Sequence, residues 1–370
     1  MKLDIGMTKP TKRFSVRKAL AVAGALGVTA TGMTLASQVA ASASGPTLYV
    51  YSAQGYDSAA VAAFNATNPG FTVALNDNST GPLLQEIQAE RNNPRFGVLW
   101  VDGPTAFATL DQEGLLQHHI VPKSVNFNAR GKANIPADGS FVPADLTATG
   151  ALVWDSAQMT RAQLPKTWND LTLPRYKGWL GMNDPTQSGP TYPLIAGVMA
   201  NLGNYTSGST KHAVSVGEAF FKKLKANGLV VNATNGPTVA AILSHTIKMA
   251  IIQSSAGYGK ILTGDPSLRV SYLNPATTLA GGMGIDAKMP WTVRQEAQKF
   301  VNWVMSPAGQ HVMQTGDPQG DSLFWPVITN EHQPSSLPAL HTVPMKTINP
   351  YVWGPLETKI NTWFSSNIIG

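Results

Sequence analysis

The sequence contains 370 residues, of which 13% are charged, and it has no cysteine. Without cysteine the chain cannot form a disulfide or carry a lipid on a cysteine. The formal net charge is +6, but residues 1–43 hold six basic residues and one acidic residue, and the other 327 residues have 21 Lys and Arg against 20 Asp and Glu. This balance argues against a nucleic-acid or anionic-membrane partner.

The first 43 residues have the layout of a secretory signal peptide. Basic residues up to Lys18 precede an uncharged run of small and apolar residues at 19–36, and Ala41-Ser42-Ala43 offers an A-x-A cleavage site. A membrane anchor is the alternative, although the run is only marginally long for a bilayer span of about 20 apolar residues. We therefore expect cleavage near Ala43 and a soluble periplasmic or secreted protein.

The chain after residue 46 alternates strand-like and helix-like segments. Apolar runs at 47–51, 71–75 and 98–101 each precede a polar turn that contains glycine and then a segment with helical spacing. This order predicts an α/β protein with a parallel sheet, in which ligands bind at the carboxyl ends of the strands. Further strands are predicted at 148–154, 179–182, 229–231, 249–252, 269–273 and 281–285, and an amphipathic helix at 296–305.

One stretch, DPTQSGPTYP at residues 184–193, combines Ser, Gly and Thr between prolines directly before the apolar run at 194–199. These residue types mark a helix start, where backbone N–H groups have no partner within the helix. Such a start either caps itself or holds an anion.

The order of four motifs resembles a known family. TLYVYSAQG, NSTGPLLQEIQAERNNPRFGVLWVDGP, WNDLTLPRYKGWLGMNDPTQSGPTYPLIAGVM and GGMGIDAKMPWTVRQEAQKFVNWVMSPAGQ follow one another as in the extracellular solute-binding proteins of ABC importers. The branch that contains ferric-ion, thiamine and 2-aminoethylphosphonate binding proteins is the most similar. The resemblance covers residues from about 47 to 310. It implies a type II periplasmic-binding-protein fold, a membrane permease as partner, a monomer, no cofactor and no catalysis.

The resemblance also implies an architecture of two α/β lobes with a ligand cleft between them. Lobe 1 is expected at residues 46–146 plus 276–370 and lobe 2 at 147–275. The two crossing strands are expected near 147–154 and 273–284. The long tail after residue 310, with Phe324-Trp325-Pro326 and Trp353-Gly354-Pro355, is expected to pack on lobe 1.

In this family the cleft is lined by the turns after the strands and by helix starts. Carried over position by position, the resemblance implies ligand contacts from Ser52, Gln54, Ser79, Thr80, Gly81, Asp102, Gly103, Thr149, Ser188, Gly189, Thr191, Asn235, Gly236, Thr238, Ser255 and Tyr258. Each of these residues alone has a simpler interpretation, because Ser and Thr at helix starts are usually only caps and a buried Tyr is usually core.

The residue types at these positions favour a small anion. Ferric-binding relatives use adjacent tyrosines where this chain has SSAGYG with Tyr258 alone, which argues against iron and predicts no metal site. Organic cations such as thiamine or polyamines favour carboxylates and aromatic rings, and these turns offer only Asp102, with Tyr56 and Asp57 nearby. Ser, Thr and Gly at helix starts suit an oxyanion such as phosphate, sulfate, molybdate or a phosphonate. Only Lys260 supplies a positive charge, and Asp102 is the candidate partner for a ligand amine.

Two other classes of protein remain open. A secreted hydrolase is the first, although the sequence has no G-x-S-x-G or H-E-x-x-H motif and the adjacent His118 and His119 are typical of a solvated loop. An exported adhesive or structural module is the second, although no repeats or disulfides support it. Catalytic turnover separates an enzyme from a binding protein.

Overall fold

The computed structural model describes residues 45–370. The predicted signal peptide, residues 1–43, therefore lies outside the described residues. Among the residues described, none of the helices combines the length and the apolar character that a membrane crossing requires.

Five strands form the first sheet, in the order β2-β1-β3-β10-β4. They are β1 (Thr47–Ser52), β2 (Thr72–Asp77), β3 (Val98–Asp102), β4 (Phe141–Pro143) and β10 (Gly281–Ile285). β1 pairs in parallel with β2 and β3, whereas β10 pairs antiparallel with β3 and β4. The prediction of a parallel sheet is therefore wrong for β10, which enters directly from the second sheet instead of through a crossover helix.

Six strands form the second sheet, in the order β11-β9-β5-β8-β6-β7. They are β5 (Thr147–Asp155), β6 (Leu180–Asn183), β7 (Val230–Asn232), β8 (Met249–Ile252), β9 (Leu268–Leu279) and β11 (Met345–Lys346). β6 pairs in parallel with β7 and β8, but β5 pairs antiparallel with β8 and β9. Both sheets are therefore mixed.

Twelve α-helices accompany the sheets in the described part of the chain. They are α1 (Asp57–Ala66), α2 (Thr80–Glu90), α3 (Pro104–Gln112), α4 (Ala129–Ala133), α5 (Thr191–Leu202), α6 (Lys211–Ala226), α7 (Asn235–Leu243), α8 (Ser254–Leu262), α9 (Trp291–Val304), α10 (Pro307–Gly316), α11 (Pro350–Trp353) and α12 (Glu357–Phe364). The predicted apolar face of α9 is buried, at Ala297, Phe300, Val301 and Val304.

The chain passes between the two sheets at two neighbouring places. Residues 144–146 join β4 to β5, and Ala280 joins β9 to β10. The two connections lie side by side because β5 and β9 pair antiparallel, with Thr147 opposite Leu279. A β-bulge interrupts this pairing at Gly150, whose φ of 77° is in the left-handed region that favours glycine.

Each sheet has its own large hydrophobic cluster. Trp100, Phe300 and Trp325 belong to the cluster on the first sheet, and Tyr192 and Phe221 to that on the second. These aromatic side chains bury large areas, so each cluster supplies much of the stability of its half.

The end of the tail packs on both halves, and not on lobe 1 alone as the sequence predicts; Tyr351 Oη, for example, donates to Asp111 Oδ2 on α3. Phe324 and Trp325 lie in the first cluster, as expected, but Trp353, Ile360 and Phe364 lie in the second. β11 pairs with β9 in the second sheet, and the residues after β11 contact α5 and α6: Tyr192 Oη donates to the Trp353 carbonyl, and the Phe221 and Phe364 rings pack edge to face. The division of the chain into the two lobes given above otherwise stays a prediction.

Candidate functional site

The turns after β1, β2 and β3 face the starts of α5, α7 and α8 across a cavity of about 500 Å³. A cavity of this size is typical of small-molecule sites. Its lining residues are Ala53, Gln54, Gly55, Asp57, Ser58, Asp77, Asn78, Ser79, Thr80, Asp102, Gln187, Ser188, Gly189, Pro190, Thr234, Asn235, Gly236, Gln253 and Asp321. We call this space the solute cavity.

Five helices begin at the solute cavity, namely α1, α2, α5, α7 and α8. In none of the five does the residue before the helix form a side-chain capping bond. The first N–H groups of an α-helix have no partner within the helix, and together they give its start a partial positive charge. The cavity is therefore surrounded by helix starts suited to ligand oxygens.

A proline explains why two good capping residues leave their helices uncapped. Ser79 precedes Thr80-Gly81-Pro82, and Thr234 precedes Asn235-Gly236-Pro237. A capping hydroxyl accepts from the second or third N–H of the helix, and proline removes the third. In α2 the second N–H, that of Gly81, instead donates to the Gln187 carbonyl at 3.4 Å. The hydroxyls of Ser79 and Thr234 therefore face the cavity without a capping role.

A chain of side-chain hydrogen bonds runs along one wall of the cavity. Asn183 Nδ2 donates to Ser188 Oγ at 3.2 Å and to Asn235 Oδ1 at 2.7 Å, and Thr238 Oγ1 donates to Asn183 Oδ1 at 2.6 Å. Asn235 Nδ2 in turn donates to Gln253 Oε1 at 3.2 Å. Because Ser188 Oγ accepts in this chain, its own hydrogen is available for a ligand acceptor.

The chain continues into the first sheet through Asp102. Gln253 Nε2 donates to Asp102 Oδ2 at 3.1 Å, and Gln54 Nε2 donates to Asp102 Oδ1 at 3.2 Å. Gln54 follows β1 and Gln253 follows β8, so Asp102 receives one amide from each sheet. Asp102 is therefore the polar link between the two halves of the site.

Asp102 belongs to a buried group of carboxyls at the floor of the site. Asp145 accepts from Tyr56 Oη and, at 3.2 Å, from the Gly281 N–H, while Asp321 accepts from the Gly55 N–H at 2.8 Å. Burial, together with the mutual repulsion of these carboxylates, raises the pKa of Asp102, Asp145 and Asp321. A cationic or hydrogen-donating group placed here would relieve that repulsion.

Asp57, the first residue of α1, adds an unpaired acceptor. Its side chain is 2% exposed, lines the cavity, and has an Oδ2 atom with no hydrogen-bond partner among the described residues. Burial raises its pKa from 3.8 to about 6. A buried acceptor without a donor costs free energy, which a ligand donor would recover.

The charge of the lining is one-sided. Four carboxyls line the cavity, from Asp57, Asp77, Asp102 and Asp321, and the lining contains no Lys, Arg or His among the described residues. Donors come from hydroxyls, amides and helix starts, and acceptors come from the carboxyls. The cavity is thus suited to a ligand that has both an oxyanion and a donor group.

The structure places half of the sequence-predicted site residues on the cavity surface. Those that line it are Gln54, Ser79, Thr80, Asp102, Ser188, Gly189, Asn235 and Gly236. Seven others do not line the cavity, namely Ser52, Gly81, Gly103, Thr149, Thr191, Thr238 and Ser255. Three of them support lining residues: Ser52 Oγ accepts from the Gln54 N–H, Thr149 Oγ1 donates to the Pro190 carbonyl, and Ser255 Oγ donates to Asp321 at 3.5 Å.

Tyr258 lies apart from the lining. Its hydroxyl is 3.1 Å from that of Tyr272, and it packs against the first hydrophobic cluster. Lys260, two residues after Tyr258 on α8, does not line the cavity either. The contact between two tyrosine hydroxyls gives Tyr258 a structural partner in place of a ligand.

Sequence reasoning missed several lining residues. Gln253 had a signal, since it is the first residue after the predicted strand at 249–252. Asn183, which ends β6, lies behind the lining and supports it through its bonds to Ser188 and Asn235. Asp57 was noted only as a neighbour of the first turn. Asp321 had no local signal, because it reaches the site from the tail, 266 residues after its partner Gly55.

A cluster of side chains that can bind metals lies outside the cavity. Asp111, His118 and Asp138 offer ligand atoms within 4.8 Å of one another. His118 Nε2 is 3.1 Å from Asp111 Oδ1, and Tyr351 Oη donates to Asp111 Oδ2 at 2.8 Å. His118, the first of the two adjacent histidines, therefore contacts a carboxylate and is not only solvated as the sequence predicts.

Comparison with known proteins adds a family to this geometry. The bacterial extracellular solute-binding protein family matches residues 59–336. The probable ABC transporter periplasmic-binding protein y4fP of Sinorhizobium fredii is 29% identical over 156 residues, which are 42% of this chain and 42% of that protein.

Two solved structures share the fold over nearly their whole length. AfuA from Actinobacillus pleuropneumoniae, with fructose-6-phosphate bound, has a TM-score of 0.73 and 19% identity, covering 88% of this chain and 99% of its own. Iron-bound HitA from Pseudomonas aeruginosa has a TM-score of 0.69 and 19% identity, covering 86% of this chain and 98% of its own. Together with the family match, these similarities establish that the chain belongs to the bacterial extracellular solute-binding proteins, has their type II periplasmic-binding fold, and acts as the solute-binding component of an ABC transporter rather than as an enzyme.

Proposed function

We propose that the solute is a small molecule with an oxyanion group, such as a phosphonate or phosphate. The observation that carries this proposal is the convergence of five uncapped helix starts on one cavity. Hydroxyls and backbone N–H groups stabilise an oxyanion without a full counter-charge. The Ser188 hydroxyl and the hydroxyls of Ser79 and Thr234 are the donors that we assign to it.

The same solute has a second group that donates hydrogen bonds, either an ammonium or hydroxyls. Asp57, Asp102 and Asp321 supply acceptors for it at the floor of the cavity. A ligand with this combination satisfies the unpaired Asp57 Oδ2 and keeps its oxyanion away from the carboxylates. The fructose-6-phosphate bound to AfuA, which has a similar fold, combines a phosphate with hydroxyls.

An organic cation of the thiamine or polyamine type is the second candidate. The observation that favours it is the one-sided charge of the lining, with four carboxyls and no basic side chain in the described cavity. Ferric ion is less well supported, although HitA binds iron, because Tyr258 pairs with Tyr272 and no tyrosine appears in the described lining.

Closure of two lobes is the proposed mechanism of capture. A solute held by one lobe recruits donors from the other and shifts the population toward a closed form that the permease recognises. The two neighbouring connections at residues 144–146 and Ala280 are the proposed hinge, with Gly150 and Gly281 as its flexible positions. We propose that the protein acts as a monomer after removal of residues 1–43.

The proposal is tested by a thermal-shift panel on the chain from Ser44 onward, freed of bound material by unfolding and refolding. The panel contains phosphate, sulfate, molybdate, ethylphosphonate, 2-aminoethylphosphonate, fructose-6-phosphate, thiamine, spermidine and ferric citrate. A ligand at a hundredfold its Kd stabilises the fold by about 2.7 kcal/mol, which such a panel detects. We expect a shift with an oxyanion that carries an amine or hydroxyls, and a smaller one with ethylphosphonate.

The outcomes separate the two candidates. A shift with thiamine or spermidine alone would replace the oxyanion proposal by the organic cation. A shift with ferric citrate alone would overturn both. Any of these results leaves the family and the transport role in place, because those rest on the family match and the fold.

A further inference from the structure

A second cavity, of about 580 Å³, lies next to the solute cavity. α2 and α3 form one wall, and α12 with residues 185–189 forms the other. Thr80 and Gly189 line both cavities, and a Cβ added at Gly189 would lie 2.4 Å from Thr80 Oγ1. The two spaces are therefore separated by one tight contact, and we call the second one the seam cavity.

The seam cavity has a single ionisable side chain. Glu357, the first residue of α12, is the one acidic or basic residue among the described lining. Its carboxyl bonds to Thr105, and none of the ion pairs found among residues 45–370 includes it. Burial raises the pKa of Glu357 to about 7. A carboxyl in this setting gains from a cationic partner, since its ionised form is poorly solvated.

One turn further along α12, Asn361 provides an unpaired acceptor. Its Nδ2 donates to the Pro185 carbonyl at 3.3 Å, while its buried Oδ1 has no hydrogen-bond partner in the described chain. Residues four apart on a helix lie on the same face, so Glu357 and Asn361 present their acceptors side by side. The opposite wall offers the apolar side chains of Leu84, Ala106 and Leu110, with the uncharged polar residues Thr80, Gln85, Gln88 and Thr109 beside them.

From this arrangement we infer that the seam cavity binds a small organic cation with an apolar body. The ammonium group lies between the Glu357 carboxylate and Asn361 Oδ1, and the apolar body lies on Leu84, Ala106 and Leu110. Charge complementarity fixes the sign of the ligand, because no basic side chain lines the described part of the cavity. The volume is within the range of about 300–1,000 Å³ that is usual for small-molecule sites.

This site has a consequence for solute binding. A ligand here contacts α2 and α3, which follow strands of the first sheet, and also α12, whose Ile360 and Phe364 lie in the second cluster. Such a ligand stabilises the arrangement in which Thr80 touches Gly189. Coupling between two binding sites is reciprocal, so the organic cation and the transported solute would each raise the affinity for the other.

Isothermal titration of benzylamine into the chain from Ser44 onward tests the inference, with benzyl alcohol as the uncharged probe of the same shape. We expect benzylamine to bind, and Glu357→Gln to weaken its binding about tenfold or more, because a hydrogen bond to a charged group contributes about 1.5–3 kcal/mol. Asn361→Leu should have the same effect. Glu218→Gln, a glutamate on α6 that does not line the seam cavity, is the control and should leave the affinity unchanged.

Three results would overturn the seam site. They are no benzylamine binding at millimolar concentration, equal binding by the wild-type and Glu357→Gln chains, and binding that is lost in Asp102→Asn but kept in Glu357→Gln. The last result would place the amine in the solute cavity. Thermal unfolding of each variant confirms that it is folded. The proposed transport solute is not used in these titrations, so a failure here leaves the oxyanion proposal untouched.

Discussion

Ser79 and Ser306 are the same residue type in the same extended backbone conformation, yet only Ser306 caps its helix. Ser306, before α10, accepts from the Gly309 N–H at 3.4 Å, whereas Ser79, before α2, makes no capping bond. α4 and α11, which also start away from the solute cavity, are capped by Asn128 and Asn349. α6, α9 and α12 begin outside the solute cavity and also lack a side-chain cap, so the informative contrast is between the two serines. The Ser79 hydroxyl lines the cavity without a capping bond, which leaves it for a solute.

The largest effect is expected from removing the hydroxyls that the prolines leave uncapped. Ser79→Ala combined with Thr234→Ala should weaken solute binding at least a hundredfold, because each hydrogen bond to a charged group contributes about 1.5–3 kcal/mol. Stability should change little, since neither side chain caps its helix. Calorimetric titration with the ligand found in the panel measures the affinity, and urea unfolding measures the stability.

Ser306→Ala is the matched control for that double variant. It should cost about 1 kcal/mol of unfolding free energy, the usual effect of losing a cap, and leave the affinity unchanged. If the double variant instead lost stability and kept its affinity, Ser79 and Thr234 would be ordinary caps. The contrast between Ser79 and Ser306 would then have no functional meaning.

The second effect concerns the acid at the start of α1. Burial raises the pKa of Asp57 to about 6, above its value of 3.8 in the unfolded chain, so the folded state holds the proton more tightly. The resulting stability is fully present below pH 3.8 and is lost as the pH rises through about 6. One pKa unit corresponds to 1.36 kcal/mol, so the ligand-free protein should lose about 2 kcal/mol at this site between pH 4 and 7.

Urea unfolding at several pH values between 4 and 7.5 measures this loss in the wild-type chain and in Asp57→Asn. The raised pKa values of Asp102, Asp145 and Asp321 act in the same direction, so the variant should retain part of the slope. If the unfolding free energy of the variant depended on pH as strongly as that of the wild-type chain, the raised pKa of Asp57 would be contradicted. A solute whose ammonium lies on these carboxylates should flatten the wild-type curve, since it stabilises the ionised forms.

The residues around the solute cavity also show how much of the site could be predicted from the sequence. Turn residues directly after predicted strands, such as Gln54 and Asp102, could be placed at the cavity because parallel strands end at one edge of a sheet. Ser79 and Thr234 would be ordinary capping residues if Pro82 and Pro237 did not remove the third N–H of their helices. Both prolines are visible in the sequence. The sequence therefore contains the reason that both helices are uncapped, although the prediction included only Ser79 among the ligand contacts and did not include Thr234.

Other features depend on contacts that no local pattern encodes. Asp321 reaches the site from a loop after α10, and Trp353 joins the second cluster because β11 pairs with β9. The mixed sheets follow from the side-by-side arrangement of the two connections, which places β5 antiparallel to β9. Periodicity reports which face of an element is buried but not which distant element covers it.

The smallest effect separates two glycines that occupy equivalent positions. Gly81 and Gly236 are each the second residue of a helix and each precede a proline. A Cβ added at Gly81 would lie 1.8 Å from the Thr186 carbonyl oxygen, whereas one added at Gly236 would meet nothing within 4 Å. Gly81→Ala should therefore push α2 away from residues 185–189 and disfavour the closed arrangement, while Gly236→Ala leaves that arrangement accessible.

Small-angle scattering with and without the solute measures the compaction that closure predicts. The wild-type chain and Gly236→Ala should contract on binding, and Gly81→Ala should contract less and bind several-fold more weakly, because only the closed fraction binds with full affinity. Full contraction by Gly81→Ala would show that α2 reaches the solute without approaching Thr186. The bond from Gly81 N–H to Gln187 would then be a consequence of this arrangement rather than a condition for capture.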